Sequence, residues 1–285
     1  MITAKDNEHI KRLRKLMTRS KTRREEECFV IEGYKPVAEA LRRGLVRELV
    51  LSGGLINSED SYSEKAEELR QQCREDSVPV IGVAKTLFDD VSDTVTPQGI
   101  MAIVSKPSFD PMQIFSRDDC HLLCLEEVRD PGNMGTMLRT AEAAGIDAVI
   151  LSDGCVDIFQ PKVVRATMGS ILRVPCFSRI QLMTENRNTE KNVPVEKGFA
   201  GTLDLLKSQG FTIVAAHLQG SVDFREPEYG GKTAVLIGNE ARGISEDATR
   251  LADIRVRIPM EGQVESLNAA VSAALLMYEM KRNKR

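Results

Sequence analysis

Three short segments of this 285-residue chain carry residue types at spacings that could do chemistry. In the first, Asp130-Pro131-Gly132-Asn133 leads into a helical stretch that carries Arg139. Pro131-Gly132 fits the centre of a type II turn, and Asn133 as the following cap would leave backbone N–H groups aimed at an anion. Helical side chains lean toward the N-terminus, so the Arg139 guanidinium can return to that end. Asn and Arg there suit a phosphate and a ribose, and equally an ordinary cap with Arg139 paired to Glu142. In the second segment, Leu236-Ile237 runs into Gly238-Asn239-Glu240-Ala241-Arg242-Gly243. Its paired glycines suit a backbone that a ligand approaches closely, or a plain strand-to-helix connection. In the third, Ile258-Pro259-Met260 continues to Ser266-Leu267-Asn268 and an alanine-dense helix. Ser266 is the candidate N-cap there, and alanine permits close packing, whether around a ligand or in a core.

Other chemistries lose their support. No G-x-G-x-x-G, H-E-x-x-H or G-x-S-x-G occurs. Gly231-Lys232-Thr233 resembles the end of a phosphate loop, but Glu226 stands where the leading glycine belongs, and a strand follows instead of a helix. Cys28, Cys73, Cys120, Cys124, Cys155 and Cys176 lie in apolar or helical stretches, and His9, His121 and His217 are far apart. No metal spacing results, and reduced, mostly buried thiols are expected.

The elements that must position these segments alternate between strand and helix. Apolar residues at 42% suffice for two cores. Residues 1–105 predict a compact α/β unit opened by a basic amphipathic helix with Ile10, Leu13 and Leu16 or Met17 on one face. Residues 106–120, with Pro107 and Pro111, suit a linker, and 121–285 predict a largely parallel sheet with helices on both faces. Thr184–Lys197 is polar and predicts a surface insertion. No apolar run is long enough to span a membrane and no secretory leader is evident, so a cytoplasmic location is expected. The net charge of −3 hides an uneven distribution. Residues 1–24 hold nine Lys or Arg against Asp6 and Glu8, a local +7 that suits RNA or DNA, or a solvated helix face.

In this order the three segments, N-x-G-x-x-x-R-T, G-N-E-x-x-G and I-P-M-x-G-x-x-x-S-L-N-A-A, resemble the motifs of the SpoU (TrmH-type) RNA 2'-O-ribose methyltransferases of the SPOUT superfamily. The first hundred residues, with Phe29-Val30-Ile31-Glu32-Gly33, are similar to the ribosomal-protein-like substrate-binding domain of many members. The resemblance implies an α/β SPOUT fold with a C-terminal trefoil knot and S-adenosylmethionine as methyl donor. It implies that Gly238, Ile258 and Leu267 contact the donor, with Asn239, Met260, His217 and Leu218 nearby. By the same likeness Glu240, Ser266 and Asn268 shape the reactive end, and Asn133 and Arg139 meet the target nucleotide. A homodimer is implied too, through the C-terminal helix and the Asn133 helix, and an RNA substrate, ribosomal (23S type) by association with the N-terminal domain. A transfer-RNA substrate, antibiotic self-protection and a non-catalytic assembly factor are the alternatives.

Overall fold

The computed structural model describes residues 1–56, 61–178, 182, 198–219 and 222–282. The predicted insertion at 184–197 lies outside them. The chain divides into two compact units, Met1–Pro107 with Asp157–Leu172, and Ser108–Val156 with Arg173–Arg285.

In the first unit, strands β1 (Cys28–Glu32), β2 (Val46–Ser52), β3 (Val80–Val83) and β4 (Ile100–Ser105) form a sheet in the order β1-β4-β2-β3. Only the β2–β3 pair is parallel. The Glu8–Thr18 helix, capped by Asn7, buries Ile10, Leu13 and Leu16 in the core with Val30, Phe88 and Met101. The basic N-terminus is therefore folded, and most of its charge is spent. Lys11 pairs with Glu8, Arg12 with Glu26, Lys21 with Glu25, and Lys5 and Arg14 with Asp90. Arg23, only 4% exposed, donates to the carbonyls of Leu16 and Met17 and to Asp157. Lys15, Arg19 and Arg24 stay exposed without a partner among the described residues. The Asp157–Leu172 segment joins this unit through Phe159, whose ring lies 4.8 Å from that of Phe29, and through Arg165, which pairs with Asp93.

The second unit holds β5 (Cys120–Leu125), β6 (Ala148–Leu151), β7 (Cys176–Ser178), β8 (Thr212–Ala216), β9 (Val222–Asp223), β10 (Lys232–Ile237) and β11 (Ile254–Arg257). They form one parallel sheet in the order β7-β6-β5-β10-β8-β11-β9. Every residue of β5 is buried, as expected of a strand covered on both faces. β9, two residues long, is too short for hydrophobic periodicity to signal. The chain steps outward from β5 to β7 and then crosses back, so β10 is inserted beside β5. In open parallel sheets the crevice opens at such a switch, beyond the carboxyl ends of the strands.

The expected linker carries structure of its own. Within 106–120, Asp110 caps a Pro111–Phe115 helix whose Ile114 and Phe115 enter the second core. Phe115 meets Phe177 and Phe211 edge-on at 6.4 and 5.5 Å. His121 is fully buried, and its Nε2 bonds the Tyr229 carbonyl at 2.8 Å, a structural role. All six cysteines are free. Burial pushes the Cys73 thiol up to about 11 and those of Cys120 and Cys176 up to about 12, so they stay protonated and unreactive. Among the described residues no group of His, Cys, Asp and Glu could hold a metal, and no helix is long and apolar enough to cross a membrane.

Phe115→Ala should destabilise the protein by about 3–5 kcal/mol, the usual cost of deleting a buried aromatic ring. Val95→Ala, at a fully exposed position, should cost under about 0.5 kcal/mol. Urea denaturation followed by circular dichroism reads both, and equal midpoints would contradict this account of the core.

Candidate active site

The loops that leave β5 and β10 meet at the switch point. Here the local structure departs from the expected cap. Asp130, not Asn133, is the N-cap of the Pro131–Ala144 helix, and its side chain accepts from the Asn133 amide at 2.7 Å. Pro131 takes the first helical position, where its missing N–H costs nothing and its φ already fits, so no type II turn forms at Pro131-Gly132. The side chain of Asn133, one turn into the helix, is thereby released from capping.

Its amide is spent on the site. Asn133 Nδ2 donates to Glu240 Oε1 at 3.2 Å, and Asn133 Oδ1 accepts from Asn268 Nδ2 at 2.9 Å. Asn268 is itself the N-cap of the Ala269–Lys281 helix, its Oδ1 accepting from the amides of Ala270 and Val271. Ser266, the expected cap, lies two residues earlier in an exposed loop, so the helix starts later than its alanine pattern suggests. Glu240 also accepts from the backbone N–H groups of Asp130 and Arg129 at 3.1 and 3.3 Å. Burial alone would raise its carboxyl, but donors from its own backbone, Asn133, Asp130 and Arg129 outweigh that and hold it below the ordinary value of 4.5. An ionised carboxylate only accepts, so Asn133 must turn its Nδ2 to Glu240 and its Oδ1 to Asn268. The chain of donors therefore has one sense, from the C-terminal helix N-terminus through Asn268 and Asn133 to Glu240.

The Gly238–Gly243 loop is closed on itself. Asn239 and Gly243 exchange backbone hydrogen bonds at 3.0 and 2.9 Å, and Asn239 Oδ1 accepts from the amides of Ala241 and Arg242. Asn239 Nδ2 ties the loop to the Glu127 carbonyl at 2.8 Å. A Cβ on Gly238 would lie 2.2 Å from the Gly243 carbonyl carbon. Gly238 is thus required by the protein's own backbone. His217 follows β8 and donates its N–H to the Val256 carbonyl of β11, with Leu218 beside it 67% exposed. From Ile258 through Met260 to Leu267 the backbone groups make no hydrogen bond among the described residues, and Val264 is exposed.

Arg139 is exposed and has no hydrogen bond or ion pair among the described residues. Glu142, its alternative partner, is taken by Arg173 in a two-pronged pair. The structure thus joins Asn133, Glu240 and Asn268 directly, and leaves Arg139 and Ser266 with free polar groups. Residues passed over in the sequence also matter here. Glu126 accepts from both the N–H and hydroxyl of Ser245, fixing the start of the Glu246–Leu251 helix. Asp130 was readable from Asp-Pro alone, the signature of a cap followed by proline at the first helical position.

Known proteins resemble the chain over most of its length. The SpoU rRNA Methylase family matches residues 121–278, and the MRM3-like substrate binding domain matches residues 7–102. The chain is 32% identical over 281 residues to the 23S rRNA (guanosine(2553)-2'-O)-methyltransferase RlmP of Bacillus subtilis, covering 98% of each. It is similar to the AdoMet-bound rRNA methyltransferase of Sinorhizobium meliloti, with 28% identity, a TM-score of 0.80, and 99% and 97% of the two chains covered. It is also similar to the SpoU methyltransferase AviRb of Streptomyces viridochromogenes in complex with AdoMet, with 27% identity, a TM-score of 0.81 and 98% of each chain covered. The family match spans more than half of the chain and takes in Asn133, Glu240 and Asn268: this protein belongs to the SpoU rRNA methylase family.

Proposed function

We propose that this protein transfers a methyl group from S-adenosylmethionine to the 2'-hydroxyl of a ribose in large-subunit ribosomal RNA. The oriented chain from Asn268 through Asn133 to Glu240 carries the reading, because it assembles all three family motifs at the crevice of a parallel sheet. The reading includes a cytoplasmic location, supported by the likeness to a bacterial 23S rRNA methyltransferase.

The residues present fit the donor. The unspent backbone groups of Ile258–Leu267 suit the polar edges of a nucleoside and an amino acid, and exposed Leu218 and Val264 suit an apolar base face. Gly238, Ile258 and Leu267 would hold it mainly through backbone, with Asn239, Met260, His217 and Leu218 around them. When bound, S-adenosylmethionine supplies a sulfonium methyl that is already a strong electrophile. The same reading includes the trefoil knot, formed by these last loops and the C-terminal helix.

The protein's task is then to align and activate the ribose. A guanidinium keeps its proton at any physiological pH, so Arg139 acts as an electrostatic stabiliser of the developing 2'-oxyanion and holds the adjacent phosphate. The hydroxyl proton leaves to that phosphate or to water. Asn133 retains one N–H and one lone pair for the ribose after serving Glu240 and Asn268. Ser266, with its hydroxyl unspent, completes the reactive end. Residues 1–105 capture the RNA, with Lys15, Arg19 and Arg24 as free cations for its phosphates.

The reading extends to a homodimer in which Arg139 of one subunit faces the donor pocket of the other. Its support is a stripe on the C-terminal helix, where Val271, Leu275 and Tyr278 are 48%, 38% and 53% exposed at i, i+4 and i+7. Such a stripe needs an apolar cover. The helix packs on the one that carries Arg139.

Four outcomes test this. In calorimetry the wild type should bind S-adenosylmethionine without RNA. Gly238→Val should abolish that binding by forcing Gly243 and Ile244 aside, and equal affinity in the two would sink the placement. Arg139→Ala should leave donor affinity within about twofold yet lower turnover by about 10²–10³. Mixing Arg139→Ala with Gly238→Val subunits should restore part of the activity, since one site per heterodimer is then intact. Verified heterodimers as inactive as their parents would put the whole site in one chain. Lys15→Glu, Arg19→Glu and Arg24→Glu together should weaken binding to 23S rRNA and flatten its salt dependence. Unchanged binding would move RNA capture away from that helix.

A further inference from the structure

Beside the candidate active site lies a second cluster. Glu127, the residue two before Arg129 on the β5 loop, adopts a left-handed backbone with φ 53°. Such a conformation is unfavourable for a non-glycine residue and persists only where its surroundings enforce it. Here they do. The Ser152 hydroxyl accepts from the Glu127 N–H at 2.8 Å, and the Glu127 carbonyl accepts from Asn239 Nδ2 at 2.8 Å. The side chain stem lies over Gly154, where a Cβ would come within 2.6 Å of Glu127 Cγ. Three strand-end loops, after β5, β6 and β10, thus converge to fix one carboxylate.

That carboxylate holds two guanidiniums on the same oxygen. Arg129 Nη2 donates to Glu127 Oε2 at 3.0 Å, and Arg242 Nη2 donates to it too. The arginine side chains remain 63% and 64% exposed. Each guanidinium carries five N–H donors, so most stay unspent, and the trio keeps a net charge of +1. Its backbone belongs to the site already described. The Arg129 N–H donates to Glu240, and the Arg242 N–H donates to Asn239 within the same loop as Glu240. A pair of ordinary surface ion pairs would need neither the left-handed residue nor the glycine cleared for it.

We propose that Arg129 and Arg242 form a two-pronged clamp for a backbone phosphate of the RNA strand next to the methylated ribose, and that Glu127 is the positioning residue that sets their separation. Planar guanidiniums match phosphate oxygens in pairs, which makes a fixed arginine pair a phosphate site independent of base sequence. The clamp rests on the reading of the protein as an RNA methyltransferase, and it takes a neighbouring phosphate of the strand other than the one that Arg139 holds beside the reactive 2'-oxygen.

The test uses the full chain, an unmodified in-vitro transcript of bacterial 23S rRNA, and labelled S-adenosylmethionine. Arg129→Ala and Arg242→Ala should each weaken transcript binding roughly tenfold. Each should also reduce the slope of log affinity against log salt by about one, with donor affinity unchanged. Glu127→Gln separates positioning from bulk charge. It adds one positive charge, so unspecific attraction predicts tighter RNA binding, whereas a clamp that loses its anchor binds more weakly. Glu127→Gly relieves the left-handed strain, so it should fold at least as stably, yet it should also weaken capture. Wild-type affinity and salt slope in both arginine variants, or tighter binding by Glu127→Gln, would overturn the clamp while wild-type methylation of the transcript continued. Failure of the wild type to bind the donor or to methylate would instead remove the underlying reading.

Discussion

The carboxylate of Glu240 is the interaction on which the rest of the site depends. It sits on the loop after β10 and accepts from Asp130, Arg129 and Asn133, all on the loop and helix that follow β5. Those two strands are neighbours only because the chain crosses back over the sheet, so one side chain stitches together segments about 110 residues apart. Because an ionised carboxylate accepts and never donates, it requires the Asn133 amide to turn its Nδ2 toward Glu240, in agreement with Asn268, whose own amide the helix N-terminus orients. The lowered pKa of Glu240 keeps that charge in place at neutral pH. The network is complete above the ordinary carboxylate range and is lost as acid takes the group through its depressed value.

Around this stitch the molecule divides its labour between satisfied and unsatisfied groups. The Gly238–Gly243 loop satisfies its own polar groups, Glu126 satisfies Ser245, and Arg173 occupies Glu142. What is left over is concentrated at one end of the sheet: the Ile258–Leu267 backbone, Ser266, and the guanidinium of Arg139. Exposed donors and acceptors lose little while water covers them, and they are ready when a ligand displaces that water. The contrast with the N-terminal helix is instructive. Its local charge of +7 is largely absorbed by intramolecular pairs, so the number of basic residues overstates the charge available to RNA. Exposed ion pairs are weak, however, and a phosphate can compete for them.

The sequence by itself determined the elements. Hydrophobic alternation marked the longer strands, and the three motifs marked the loops that matter. These signals are local, because periodicity and capping act over a few residues. Even the Asp130 cap was local and legible in Asp-Pro. What only the tertiary structure decided was which polar groups meet. Nothing in the spacing of Asn133, Glu240 and Asn268 says that they share a hydrogen-bonded chain, since that depends on β10 entering the sheet beside β5. Nor could spacing reveal that Gly238 is required by Gly243, that Glu142 belongs to Arg173, or that Asp157–Leu172 packs with the N-terminal unit. The physical reason is the same in each case. Burial and helix propensity are set by a residue and its near neighbours, whereas pairing of a donor with an acceptor is set by whichever distant segment the fold brings within three ångströms.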